Sequence, residues 1–135
     1  MKHLLFAILA ITLMACNKDD DRVTFHEELL PVNNVTFPTQ FKRDSLYIIP
    51  IEYIRPSTCH AFEGFYYSKN LNKRTVAVAT TVFEQNNCTT PSLNTMTADL
   101  RFIPTTEASY IFRLWKGKDG NGNDVFQEFE IPVVP

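Results

Sequence analysis

Three consecutive stretches decide the fold: Ser109-Tyr110-Ile111-Phe112-Arg113-Leu114-Trp115-Lys116-Gly117, the turn Lys118-Asp119-Gly120-Asn121-Gly122-Asn123-Asp124, and Val125-Phe126-Gln127-Glu128-Phe129-Glu130-Ile131-Pro132-Val133-Val134. Apolar and polar residues alternate on both sides of the turn, which is the period of a half-buried strand. Asn-Gly favours a two-residue type I′ hairpin loop. Pairing centred on Asn121-Gly122 sets Leu114 opposite Phe129, Phe112 opposite Ile131 and Tyr110 opposite Val133, all on one face. The other face then carries Arg113 opposite Glu130 and Trp115 opposite Glu128, with Phe126 diagonal to Trp115. One register satisfies both faces, as a half-buried antiparallel pair requires.

Upstream, the same texture recurs. Val32–Phe37, Leu46–Arg55, Ala61–Tyr67, Thr75–Glu84 and Thr95–Ile103 are rich in Val, Ile, Thr, Phe and Tyr and are separated by turns containing Pro, Asn, Ser or Asp. With Ser109–Gly117 and Val125–Val134 they make seven strands, and no window sustains a helical period beyond two turns. Seven strands in about 100 residues predict an all-β, antiparallel β-sandwich of the immunoglobulin or fibronectin kind. Strand count alone leaves a small up-and-down barrel as the alternative. Leu100-Arg101-Phe102-Ile103-Pro104 followed by Ala108-Ser109-Tyr110-Ile111-Phe112 resembles the E–F corner of immunoglobulin-like domains. The resemblance implies that Tyr110 bonds back to the backbone upstream of it.

The N-terminus speaks to location. Lys2 and His3 precede twelve uncharged residues, Leu4 to Ala15, a stretch too short for the ~20 residues that span a bilayer and suited to a signal h-region. Leu13-Met14-Ala15-Cys16 resembles the lipobox of bacterial lipoproteins, with Met14 its one unusual choice. The resemblance implies cleavage before Cys16 and acylation of that cysteine, and two or three acyl chains at ~0.8 kcal/mol per buried CH₂ anchor a protein stably. Asn17-Lys18-Asp19-Asp20-Asp21-Arg22 cannot bury apolar surface and reads as a flexible tether. Lys18, Asp19, Asp20 and Asp21 resemble the export signal of Bacteroidetes-type surface lipoproteins, which implies an outer-membrane, surface-exposed address. The expected organisation is a signal peptide over 1–15, lipidated cysteine and tether over 16–31, and one domain over 32–135.

The 120 residues after Ala15 suit a single core, and their 12 Lys and Arg against 15 Asp and Glu leave a net charge near −3. No basic footprint for nucleic acid exists in that balance. With Cys16 acylated, Cys59 and Cys88 remain as an even pair in an oxidising compartment and are expected to form a disulfide. Their separation excludes a CxxC redox or zinc site. Cys59 precedes the third strand and Cys88 follows the fourth, so the bridge is not the inter-sheet one of antibody domains.

No catalytic constellation stands out. The serines lie in no G-x-S-x-G context, and His26 and His60 lack a second histidine at metal-ligand spacing, so neither an enzyme nor a metal or other cofactor is expected. Asp119, Asn121, Asn123 and Glu130 mimic the spacing of a calcium loop, but its sixth position, which needs Gly for the sharp turn, is Asp124. A hairpin tip is therefore the better reading. Asp44-Ser45-Leu46 resembles an envelope O-glycosylation acceptor, which implies a glycan on Ser45. Trp115, Phe126, Arg113 and Glu128 share the outward hairpin face and form the candidate binding face, able to stack a sugar or anchor an envelope protein. The competing expectation is that Phe25, Leu29 and Leu30 of the N-terminal segment cover that face. An uncovered face favours a non-enzymatic, lipid-anchored binding or accessory module, and a covered one a structural envelope lipoprotein without a ligand. For the anchor itself, Cys16→Ser is expected to leave the precursor uncleaved by the lipoprotein peptidase and devoid of labelled palmitate; label entering that variant would overturn the lipobox assignment.

Overall fold

The computed structural model describes residues 22–135. Cys16 and the Lys18 to Asp21 run lie outside the described residues. Nine strands follow in order: β1 Phe25–Leu30, β2 Val32–Val35, β3 Phe41–Lys42, β4 Tyr47–Ile54, β5 His60–Asn70, β6 Lys73–Phe83, β7 Thr95–Phe102, β8 Ser109–Lys118 and β9 Asp124–Val134. They form a three-stranded sheet, β2-β4-β7, and a six-stranded one, and the two do not close into a barrel. The fold is a β-sandwich. In the larger sheet β6 has β5 on one edge, while its other edge is shared by β8 along Lys73 to Val76 and β1 along Val78 to Phe83. β9 pairs with β8, and the two residues of β3 pair with β9.

All seven expected strands are present, with β5 running three residues past Tyr67. Two strands are additional, and two pairings, β6 with β8 and β3 with β9, are parallel rather than antiparallel. The expected tether over 16–31 also needs correction. Its stretch Phe25–Leu30 is a strand zipped to β6 from Phe25↔Phe83 to Leu30↔Val78, with Leu30 buried in the core. A run of six residues with two leucines at its end gains enough from a ready-made strand edge to order.

The hairpin keeps its faces but not its partners. Tyr110 pairs with Ile131, Phe112 with Phe129, Arg113 with Glu128 and Trp115 with Phe126, two residues away from the expected register. The causes are local. Gly122 N–H donates to the Asp119 carbonyl and Asp119 N–H to the Asn123 carbonyl, which closes a three-residue loop. Only Gly122 (φ +80°) is left-handed there, whereas type I′ needs positive φ at both central residues. A bulge then places Lys116 and Gly117 against Val125 alone, with Gly117 at φ +96°. Each device slips the pairing by one, and two slips restore every side chain to its original face.

The core lies between the sheets and is largely aromatic. Phe41, wholly buried, sits 4.8 Å from Tyr47 and 5.1 Å from Phe102, ring centre to ring centre, and Phe102 stands edge-on to Tyr110 (4.9 Å) and Phe112 (5.0 Å). Such off-parallel pairs each add about 0.5–1.5 kcal/mol beyond the area they bury. From the facing sheet come Ile49, Ile51 and Tyr53, the inward residues of β4. Pro50 is tolerated in that central strand because the β2 pairing ends at Ile51, so its missing N–H removes no ladder bond on that side.

Cys59, just before β5, is bridged to Cys88, after β6, with Cα atoms 5.5 Å apart. Closing a loop of that length contributes about 3.6 kcal/mol in the chain-entropy model. The implied tyrosine corner also exists: Thr105 N–H donates to the Tyr110 hydroxyl at 2.9 Å, and Thr105 Oγ1 is 3.1 Å from the same oxygen. Tyr110 is buried, so Tyr110→Phe strands that N–H and is expected to cost about 1–3 kcal/mol in urea unfolding. An unchanged midpoint would mean that the corner adds nothing.

Candidate functional site

Alternation along Arg74-Thr75-Val76-Ala77-Val78-Ala79-Thr80-Thr81 gives β6 two unlike faces. Val76, Val78 and Thr80 point into the core, so Thr75, Ala77, Ala79 and Thr81 point outward. An outward strand of small residues leaves a trough wherever its neighbours carry large ones. Tyr66 on β5 is the cross-strand partner of Ala77, and Trp115 on β8 follows Leu114, the partner of Val76. Their backbones stand on either side of Ala77, about 9.5 Å apart by strand spacing. The result is a groove of about 730 Å³ whose floor includes Thr75 and Ala77 and whose walls include Tyr66, Trp115 and Phe126.

Two forks hold the β8–β9 wall. Asp124 Oδ1 accepts from Trp115 Nε1 at 3.0 Å and from Lys118 Nζ at 2.9 Å, which pins the edge of the indole. Arg113 Nε donates to Glu128 Oε1 at 2.9 Å, and the Arg113 guanidinium lies 4.2 Å from the centre of the Phe126 ring. All four expected residues are therefore brought together, with Trp115 directly opposite Phe126 rather than diagonal to it. Glu27 and Leu29 of β1, on the same edge of β6 as β8, extend the lining beyond Trp115. A smaller depression of about 380 Å³ continues across Ala79 towards Glu63 and shares Glu27, Leu29 and Tyr66.

The expected cover is not what the N-terminal segment provides. β1 lies in the plane of the sheet beside β6, with Leu30 in the core and Leu29 on the groove rim. Among the described residues nothing is stacked over Trp115 from that segment. Ser45, the glycosylation candidate, lies between β3 and β4, partly exposed.

At the hairpin tip, Asp119 Oδ1 accepts the N–H groups of Asn121 (2.9 Å) and Asn123 (3.0 Å). The carboxylate that would begin a calcium loop thus clips its own turn. These two backbone bonds, Asn123 first, hold the Asp119 carboxyl below the ordinary range, and the Lys118 and Trp115 bonds do the same for Asp124.

One arrangement was invisible in the sequence. Ser57 Oγ is 2.8 Å from His60 Nδ1, and His60 Nε2 is 2.8 Å from Glu28 Oε2. Hydroxyl, imidazole and carboxylate stand in the order of a hydrolytic triad. Neither Ser57 nor His60 lines the two outward depressions, and Ser57 Oγ also accepts the Cys59 N–H at 3.2 Å. In position the chain of bonds fastens β1 across β6 to the disulfide loop. The signal was hard to find because Glu28 is 32 residues from His60 and meets it only after β1 adds to the sheet.

No protein-family model, curated protein or solved structure matches this chain. The groove wall makes one pH prediction. Because folding lowers the pKa values of Asp119 and Asp124, their contribution to the hairpin is complete above the unfolded value near 3.9 and is lost as pH falls through the lowered folded values. Carboxyl-carbon NMR titration is expected to place both midpoints below 3.9; midpoints at or above it would contradict the hydrogen-bonded tip.

Proposed function

We propose that the chain is a lipid-anchored surface lipoprotein whose sandwich acts as a non-enzymatic binding module, with a glycan chain lying in the groove between Tyr66 and Trp115. The observation that carries this reading is the trough itself: aromatic walls on either side of Thr75 and the buried Ala77, rimmed by Arg113, Glu27 and Ser68. Flat aromatic faces meet the apolar faces of sugar rings, and rigid charged and hydroxyl groups at their edges can exchange hydrogen bonds with sugar hydroxyls. Trp115 and Arg113 arrive already held by Asp124 and Glu128, so little side-chain entropy remains to be lost on binding. The lipobox and the acidic run after Cys16 support display of this face outside the membrane. The open groove also favours this reading over a structural lipoprotein without a ligand.

Trp115 is the only tryptophan in the chain and reports directly on the groove. Titrating the full chain in mild detergent with a panel of neutral oligosaccharides is expected to shift its emission saturably for at least one of them. Trp115→Ala and Tyr66→Ala are each expected to weaken that glycan at least tenfold, as truncated aromatic hot spots do. Trp115 is only partly buried and Asp124 keeps its bond from Lys118, so a urea melt of Trp115→Ala is expected to stay cooperative. If no oligosaccharide perturbs Trp115, or if the variants bind as tightly as the parent, the groove is not a glycan site.

A further inference from the structure

Arg74 is the one buried cation among the described residues, 9% exposed, and it points inward on β6 between its cross-strand partners Lys69 on β5 and Phe112 on β8. Its Nη1 donates to the carbonyls of Leu71 (2.8 Å) and Lys73 (2.9 Å), and its guanidinium carbon lies 4.9 Å from the centre of the Tyr110 ring. Its Nε is buried and has no hydrogen-bond partner. Among the described residues no carboxylate pairs with it; His26 pairs with Glu84, His60 with Glu28, Arg113 with Glu128 and Lys118 with Asp124. Carbonyl dipoles, a hydrogen bond with the Tyr67 hydroxyl and a π face only partly replace water around a guanidinium, and a buried charge without a counter-charge is disfavoured.

A cavity of about 470 Å³ opens beside this side chain, at the gap between the β5 edge of one sheet and the β7 edge of the other. Lys69, Arg74 and Arg101 line it, and no Asp or Glu does. Arg43 adds a fourth cation next to it, through the bond from its Nε to the Thr105 carbonyl (2.9 Å). Tyr67 adds a hydroxyl, and Leu46 and Ile103, each about half exposed, supply an apolar lip. Lys69, Arg101 and Arg43 are exposed and Arg74 is buried, so the hollow runs from a solvated positive rim to a cation withdrawn from water.

We propose that this cavity is a binding site for a small organic oxyanion, a carboxylate, sulfate or phosphate group carried on an apolar or ring-shaped body. The oxyanion neutralises Arg74 by charge and through the guanidinium hydrogens that the Leu71 and Lys73 carbonyls leave unused, while Lys69 and Arg101 close on it from the rim. The apolar body rests against Leu46 and Ile103. The cavity lies on the inner side of β6 and the aromatic groove on its outer side, so the two sites stand or fall separately.

The test is calorimetric titration of the full chain in mild detergent with phenyl phosphate, benzoate, inorganic phosphate and inorganic sulfate, at ionic strength fixed with sodium chloride. Phenyl phosphate is expected to bind saturably and at least tenfold tighter than inorganic phosphate, because only it engages the apolar lip. Arg74→Met is expected to abolish binding. Should that variant fail to fold, the exposed pair Lys69→Ala and Arg101→Ala carries the test, with affinity down at least tenfold and the melting temperature unmoved. Trp115→Ala is expected to leave anion binding unchanged. Absence of saturable binding by all four anions, or binding indifferent to both the Arg74 and the Lys69/Arg101 variants, would overturn the proposal.

Discussion

Two strands compete for the edge of β6 that β5 leaves open. β8 takes the first four residues running parallel, and β1 takes the last six running antiparallel, so the two partners meet nearly head to head along one line. They cannot both continue, and the chain resolves the collision with a small residue and a rigid one. A Cβ placed on Gly117 would sit 3.3 Å from the Pro31 ring, and Gly117 itself holds φ +96°. Pro31 ends β1 and turns the chain into the opposite sheet, where Val32 begins β2 in the core. Beyond Leu114 the β8–β9 hairpin leaves the β6 pairing, with Lys116 Nζ donating to the Asn33 carbonyl at 3.0 Å. The split between β1 and the departing hairpin is what makes the outer groove a groove rather than a flat sheet.

The same strand separates two chemistries. Inward, branched residues and one arginine meet a packed aromatic core, and the arginine marks the place where the packing stops. Outward, two alanines and flanking threonines form a floor that larger side chains would fill. Burial also pushes the Tyr67 phenol up, against the charge and hydrogen bond of Arg74, so Tyr67 stays a neutral donor at the cavity mouth at any ordinary pH. A polar rim around an apolar interior is thus found at the sandwich edge as well as on its outer face.

Much of this was legible in the residues. Period-two alternation located seven strands because each presents one face to a common core, and Tyr110 and the cysteine pair stood out by chemistry and spacing. The hairpin faces followed from alternation, yet its partners did not. Register depends on single backbone angles at Gly117 and Gly122, and a slip of two preserves the very pattern used to read it. β1 reads as tether because its three polar residues, His26 to Glu28, stand together and break any alternation with the three apolar ones, and an edge strand derives its order from a partner far along the chain. Phe41 belongs to a strand of two residues, too short to show any period. Arg74 looked like one more polar residue at a strand start, because alternation says which side a residue faces and not whether a counter-charge waits there.

The placement of β1 gives the domain a mechanical character. Tension arriving from the N-terminal side enters the sheet at Phe25, at the end of β6 where Cys59 and Cys88 are covalently joined. Pulled along its own axis, β1 is loaded in shear, so its six rungs to β6 share the force instead of parting one by one. The Glu28–His60–Ser57 bonds tie the middle of the strand to the disulfide loop and oppose the same displacement. Tension that does pass Leu30 reaches Pro31 and the turn into the second sheet before it can disturb Trp115 or Arg74. A sandwich held by its first strand in this way can be pulled at its N-terminal end with the load spread over the sheet, and the β1 side of the groove takes that load before the core does.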